Sequence, residues 1–298
     1  MKDFCGLVSI VGRPNVGKST LLNRLIEQKI SITSRKSQTT RNNILGIKTK
    51  ENHQMVFIDT PGVHINASKV MNKVLNQSAL GAIEDADLII FMLQRNKINT
   101  LDELILERLK EVKIKKICVI NKLDQVASIN SLLPVIEKLR SEHDFAEIIP
   151  VSAKTGKNIN ELENMICQNL PENNHLYDRE TKFLAKESFM ISEIIREKII
   201  RFLGEELPHE TYVQLQKLED KENIVNIDAE IIVARESQKG IVVGKNGAKL
   251  KKIGEKARID LEKFFNKKVF LKTWVKTKKN WNNDSDFISS LGIGSLYD

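Results

Sequence analysis

Residues 9–25 read SIVGRPNVGKSTLLNRL, and this order decides the first half of the fold. An apolar run ends in a glycine turn, a second glycine follows at Gly17, and Lys18-Ser19 opens a stretch with apolar residues at helical spacing. GxxxxGK[ST] between a strand and a helix is the pattern of a phosphate-binding loop. Gly12 and Gly17 let backbone N–H groups wrap phosphates, and the helix adds its positive N-terminal end. Lys18 is placed to reach the β- and γ-phosphates and Ser19 to ligate Mg²⁺. Gly12, Arg13, Pro14, Asn15, Val16, Gly17, Lys18, Ser19 and Thr20 are therefore candidate nucleotide contacts.

Companion motifs lie downstream, each after an apolar run. Asp59-Thr60-Pro61-Gly62 follows QMVFI; a strand-end carboxylate there holds Mg²⁺ through water while the Gly62 amide meets the γ-phosphate. Asn121, Lys122 and Asp124 follow KKICVI, where an open α/β sheet presents its ligand crevice. The Asp124 carboxylate can accept from guanine N1–H and from the 2-amino group, neither of which adenine offers. Ser152-Ala153-Lys154 closes the next apolar run, with the Ala153 amide aimed at guanine O6 and Lys154 packed over the base. Each tetrapeptide alone reads equally well as a turn; four in this order do not. Val63 follows DTPG and has no side-chain hydrogen bond with which to orient a water, so slow intrinsic hydrolysis is expected.

The chain has 298 residues, 41% hydrophobic and 29% charged, with a net charge of +8, which suits two domains and a polyanionic partner. The charge is concentrated. Residues 237–281 hold 14 Lys/Arg against 3 acids, a local net of +11 that leaves −3 elsewhere. Three scattered cysteines and five histidines show no ligand spacing, which argues for buried thiols in a reducing compartment and against structural metal. No window approaches the ~20 apolar residues of a membrane-spanning helix.

Apolar runs alternate with amphipathic stretches as far as about Leu170, which predicts six strands, one tight antiparallel hairpin at Glu51-Asn52-His53, and helical crossovers elsewhere. Pro171-Glu172-Asn173-Asn174-His175 breaks the rhythm. Beyond it the pattern is helix (183–203), strand, strand, helix, helix and strand, an αββααβ unit with Phe189, Met190, Ile194 and Ile199 as core. A second glycine loop, IVVGKNG at 241–247, has the wrong spacing for phosphate binding, and Asn246 stands where Mg²⁺ needs a hydroxyl. Leu250, Ile253, Ala257, Leu261 and Phe264 then mark a buried helix stripe. Gly244, Lys245, Asn246 and Gly247, with Lys249, Lys252 and Lys256 beside them, suit the GxxG clamp by which KH modules grip a nucleic-acid backbone. Trp274 and Trp281 flank the basic run KTKK, as core or as stacking surfaces.

The first half resembles the translation-factor-related small GTPases in its G1, G3, G4 and G5 elements. The whole chain resembles the Era family of bacterial GTPases in KSQTTRNNILGI, EIIREKI, GEELP, VVGKNGAKLKKIG and the closing KKNWNND. The resemblance implies a P-loop GTPase domain over 1–170 with a mostly parallel six-stranded sheet, a linker over 171–181, a type II KH domain over 182–281 and a tail over 282–298. It implies GTP and GDP as ligands with Mg²⁺, and Thr40 or its neighbour Thr39 completing the metal shell with Ser19 and Asp59. Lys18, Thr40 and Gly62 are the expected catalytic groups. As partner it implies the 3′ region of 16S ribosomal RNA and the assembling 30S subunit, bound by a cytoplasmic monomer with peripheral inner-membrane association. An RNA-modifying enzyme and a passive RNA binder are the alternatives; neither has a motif in its favour.

Overall fold

The computed structural model of the chain describes residues 2–33, 44–62, 70–95, 97–203, 210–291 and 293. Its first sheet contains β1 (Phe4–Val11), β2 (Ile44–Lys50), β3 (His53–Asp59), β4 (Leu88–Gln94), β5 (Lys115–Asn121), β6 (Glu147–Pro150) and β7 (Phe183–Leu184). They lie in the order β6-β5-β4-β1-β3-β2-β7. β1 runs parallel to β3 and β4, β4 to β5, and β5 to β6, while β2 turns back antiparallel along β3 as the tight hairpin predicts. The near-continuous apolar runs of β1 and β4 are buried on both faces, because helices cover both sides of a parallel sheet. Those helices are α1 (Lys18–Ile26), α2 (Val70–Glu84), α3 (Thr100–Lys110), α4 (Leu133–Glu142) and α5 (Ile159–Asn169).

β7 makes the sheet seven-stranded where six strands were expected, and it falls where the helical reading of 183–203 began. Phe183 pairs with Gly46 and packs on the first core, so a long-range edge pairing overrides local helical periodicity. The polar segment before it is also sewn down: Cys5 N–H donates to Pro171 O, Asn173 N–H to Asp3 O, and the amides of Leu176 and Tyr177 to Gln54 Oε1.

The helix begins four residues late, as α6 (Glu187–Phe202), and is followed by β8 (Thr211–Asp220), β9 (Ile224–Val233), α7 (Glu236–Val243), α8 (Ala248–Phe265) and β10 (Lys268–Thr277). The order is the expected αββααβ. β9 pairs antiparallel with β8 and parallel with β10, and α6, α7 and α8 cover one face through a second core that includes Ile199, Ile253, Ala257 and Leu261. Met190 is also buried, whereas Phe189 turns to the first core.

Among the described residues, two further contacts besides Phe189 join the halves. Met71 and Leu75 of α2 share a buried cluster with Ile232 of β9, Trp281, and Ile288 of α9 (Ser285–Ser290), the last a helix the sequence did not announce. On the other side, Lys29 Nζ lies 2.5 Å from Glu197 Oε2, a carboxylate only 1% exposed that Arg201 also holds at 2.6 Å, and Lys198 bridges onward to Asp260 of α8.

Candidate functional site

The four nucleotide motifs converge at the carboxyl ends of β1, β3, β5 and β6, the edge at which an open α/β sheet places its ligands. The glycine loop turns there because φ is +111° at Gly17; a Cβ at that residue would collide with Asn121 Nδ2. Asn121 accordingly braces three segments, donating to Val16 O at 2.8 Å and accepting from Ala153 N–H at 3.0 Å. The Ala153 amide, expected to meet guanine O6, donates to Asn121 Oδ1 in this structure. Lys122 Nζ donates to Asn15 O at 2.9 Å and to Gln94 Oε1 at 3.0 Å.

Asp124 is exposed at the crevice, and its Oδ1 accepts from Ser152 Oγ at 2.6 Å. Ser152 Oγ also accepts from Thr155 N–H at 3.2 Å. The carboxylate is thereby oriented. Arg24 Nη2 donates to Lys154 O at 2.6 Å, which ties α1 to the base-side loop. Lys154 itself is exposed.

At the phosphate end, Asp59 is fully buried, and Ser31 Oγ donates to its Oδ2 at 2.8 Å. Thr60 Oγ1 donates to Ile10 O at 2.8 Å, and Gly62 abuts Pro14, so the DTPG turn lies against the glycine loop. Arg13 turns its side chain to the buried Asp102 of α3, Nε to Oδ2 3.1 Å, leaving its main chain to the loop. Ser31, Gln94, Asn23 and Arg24 were not found by sequence reasoning; the three donors from Asn23, Ile30 and Ser31 that pin the loop after α1 are visible only in the fold. Thr39, Thr40 and Val63 lie outside the described residues.

The residues fit a polyphosphate with Mg²⁺. Lys18 is 6% exposed and donates to Gly12 O at 2.9 Å and Arg13 O at 3.3 Å. Burial pushes its ammonium down to about 8, with the Asp59 carboxylate opposing the shift. An interior cation of this kind is matched by an anionic ligand. Its ordinary value is 10.5, so the nucleotide-free fold binds fewer protons than the unfolded chain between pH 8 and 10.5, and stability rises with pH through that window. At pH 7 the charge is a cost. Lys18→Met is therefore expected to stabilise the nucleotide-free protein at pH 7 by about 2 kcal/mol, after discounting two lost hydrogen bonds. The gap should narrow by pH 9; thermal melts of both proteins without nucleotide check this.

In the second half, α7 and α8 meet at the GKNG turn, where φ is +72° at Gly244, +51° at Asn246 and +75° at Gly247. A Cβ on Gly244 would stand 2.7 Å from Lys249 Cβ. Lys245 and Asn246 are exposed at the tip. Beside the turn runs a groove of about 410 Å³ between Gly247 of the turn, Lys251, Gly254, Glu255 and Arg258 of α8, and Leu271 and Thr273 of β10. The lysines singled out from the sequence sit on other sides of α8. Lys249 backs onto Gly244, Lys252 Nζ lies 5.4 Å from the Phe202 ring centroid, and Lys256 is exposed away from the groove lining. Lys251 and Arg258 are the cations that border it. Trp281 is fully buried with Nε1 donating to Glu210 O at 3.1 Å, which removes it as a stacking surface.

Comparison with known proteins gives the same two parts. A family model described as 50S ribosome-binding GTPase matches residues 7–122, and a KH domain model matches residues 206–282. GTPase Era of Coxiella burnetii (strain Dugway 5J108-111) is 46% identical over 290 residues, covering 97% of this chain and 98% of the relative. GTPase Era of Haemophilus influenzae (strain PittGG) is 46% identical over 292 residues, covering 98% and 97%. Among solved structures, Era in complex with MgGDPNP and nucleotides 1506–1542 of 16S ribosomal RNA superimposes with a TM-score of 0.95 at 36% identity, over 99% of this chain and all of that one. A variant of Aquifex aeolicus Era bound to GDP·AlF4⁻ gives 0.94 at 36% identity, with the same coverage.

Proposed function

The chain belongs to the Era family of GTPases, and from that premise we propose that it is a 30S assembly factor whose grip on the 3′ region of 16S ribosomal RNA depends on bound nucleotide. In the nucleotide site, Lys18 and the backbone N–H groups of residues 12–20 other than Pro14 hold the β- and γ-phosphates, Ser19 and Asp59 hold Mg²⁺ together with Thr40, and Gly62 supplies an amide to the γ-phosphate. Asp124 reads the guanine edge while Asn121, Lys122, Ser152 and Ala153 fix the loops that present it. Mg²⁺ neutralises phosphate charge when bound. With valine at position 63, water is positioned by backbone and switch-loop groups, and intrinsic turnover is slow. Gly244, Lys245, Asn246 and Gly247, bordered by Lys251 and Arg258, clamp the RNA; Lys249, Lys252 and Lys256 add long-range attraction.

We place the division between the two functions at Ala185-Lys186, after β7, since the expected linker 171–181 is bonded to the first sheet, and the tail after residue 281. The observation that carries the coupling is the shared apolar cluster of Met71 and Leu75 with Ile232, Trp281 and Ile288: the helix that follows the γ-phosphate turn packs directly on the RNA-binding half. No helix among the described residues is long and apolar enough to cross a membrane, so we assign any inner-membrane association to surface contact.

RNA affinity is expected to be higher with a non-hydrolysable GTP analogue than with GDP, and by linkage RNA strengthens GTP binding by the same factor. Equal affinities at one fixed salt concentration remove the coupling. Gly247→Asp is expected to lower RNA affinity at least tenfold in both states. Open space surrounds that position, but its φ of +75° strains any side chain, so Gly247→Asn, of the same shape and without the charge, is the control: affinity retained there assigns the loss in Gly247→Asp to charge at the clamp.

A further inference from the structure

We propose a second RNA-contacting surface on the helix-free face of the three-stranded sheet, on the part that α2, Trp281 and α9 leave uncovered beyond Ile232, carried by the edge strand β10 and continuous with the groove. This rests on the RNA-clamp reading of GKNG and extends it. Along β10, successive side chains alternate between the two faces of the sheet. Val269 and Val275 point into the core beneath the helices, and Leu271 and Thr273 line the groove wall. The opposite set is Lys268, Phe270, Lys272, Trp274 and Lys276, a strict alternation of cation and aromatic ring.

Phe270 is 57% exposed, too much for a packing role. Lys268, Lys272 and Lys276 are exposed as well. Trp274 is held in place by its Nε1 donating to Glu230 Oε1 at 2.9 Å, and Lys272 Nζ lies 5.8 Å from its ring centroid. The acids on the neighbouring strand are Asp228, opposite Lys272 in register, and Glu230, which is bound to Trp274 and 3.7 Å from Lys276. The strand therefore presents net positive charge interleaved with ring faces.

A basic track with stacking platforms is the chemistry that holds single-stranded nucleic acid: cations follow phosphates, and rings take bases without regard to sequence. An aliphatic protein partner would leave the alternating lysines unpaired. A GxxG groove takes four nucleotides, so a longer strand leaving it crosses the edge at Leu271 and Thr273 and meets Phe270 and Trp274 on the far side. The occupant is the single-stranded RNA flanking the clamped tetranucleotide.

The chain holds two tryptophans, and Trp281 is fully buried, so RNA-dependent fluorescence quenching reports on Trp274. The test uses the full-length protein and an RNA of the sequence 1506–1542 of 16S ribosomal RNA. The wild type is expected to show quenching that saturates with binding and disappears in Trp274→Phe. Phe270→Ala is expected to weaken binding about tenfold, at the low end of base-stacking losses. Lys272→Ala with Lys276→Ala should lower the salt dependence of log K by roughly 1.4. Thermal melts identical to wild type establish that these surface variants fold. Unquenched Trp274, together with wild-type affinity and salt slope in the variants, overturns the second surface. In that case loss of binding by Gly247→Asp leaves the clamp standing, whereas unchanged binding by Gly247→Asp removes the clamp reading itself.

Discussion

Lys18→Ala is expected to reduce GTP and GDP affinity by about 10² to 10⁴. Removing one partner of a desolvated charge pair costs roughly 3–5 kcal/mol, because the phosphate charge left behind has no replacement in a buried loop. The same truncation removes an interior ammonium from the empty protein. Nucleotide-free Lys18→Ala should therefore fold, and only its ligand-induced rise in melting temperature should vanish. Titration with a fluorescent GDP analogue, beside melts with and without GDP, checks both. RNA affinity measured without nucleotide should be unchanged, since Lys18 is walled in by Gly12, Arg13 and Asp59. Near-normal GDP binding would show that the glycine loop does not cradle phosphates.

The second large effect is a change of base preference. Asp124→Asn is expected to weaken GTP binding by about 10³ or more and to make xanthosine triphosphate the better ligand. Sites that pair a polar edge discriminate by roughly 10⁴ to 10⁵ against a base lacking it. The amide oxygen can still accept from Ser152 Oγ, which keeps the side chain oriented. Its NH2 group then meets a carbonyl on xanthine where guanine carries an amino group. Competition between the two triphosphates measures the switch. Retained guanine preference would move base reading to another residue.

The parts legible in the sequence are those whose geometry is local. The glycine loop is set by residues within one turn of chain, and GKNG likewise; the strands feeding Asp59, Asn121 and Ser152 announce themselves as apolar runs. What was illegible depends on partners distant in sequence. Phe183-Leu184 becomes a strand only because Leu45-Gly46 offers an edge. The apolar residues of 285–293 have too short a period to declare a helix, and their burial is supplied by Met71 and Leu75 of α2. Which lysines of α8 border the groove depends on how that helix is rotated against β10. Neighbouring residues differ by about 100°, so Lys251 faces the groove while Lys252 covers Phe202. Ser31 has no motif at all. Its hydrogen bond to Asp59 follows from the path of the loop that Asn23 pins.

The pairing of β7 with β2 fixes how far one half can swing on the other. Between Leu184, locked in the first sheet, and Glu187, the first residue of α6, lie only Ala185 and Lys186. Two residues carry four soft torsions, so this joint acts as a pivot and not as a tether. Any reorientation about it would have to break the packing of Phe189 on the first core and either the Lys29–Glu197 pair on one flank or the Met71–Trp281 cluster on the other.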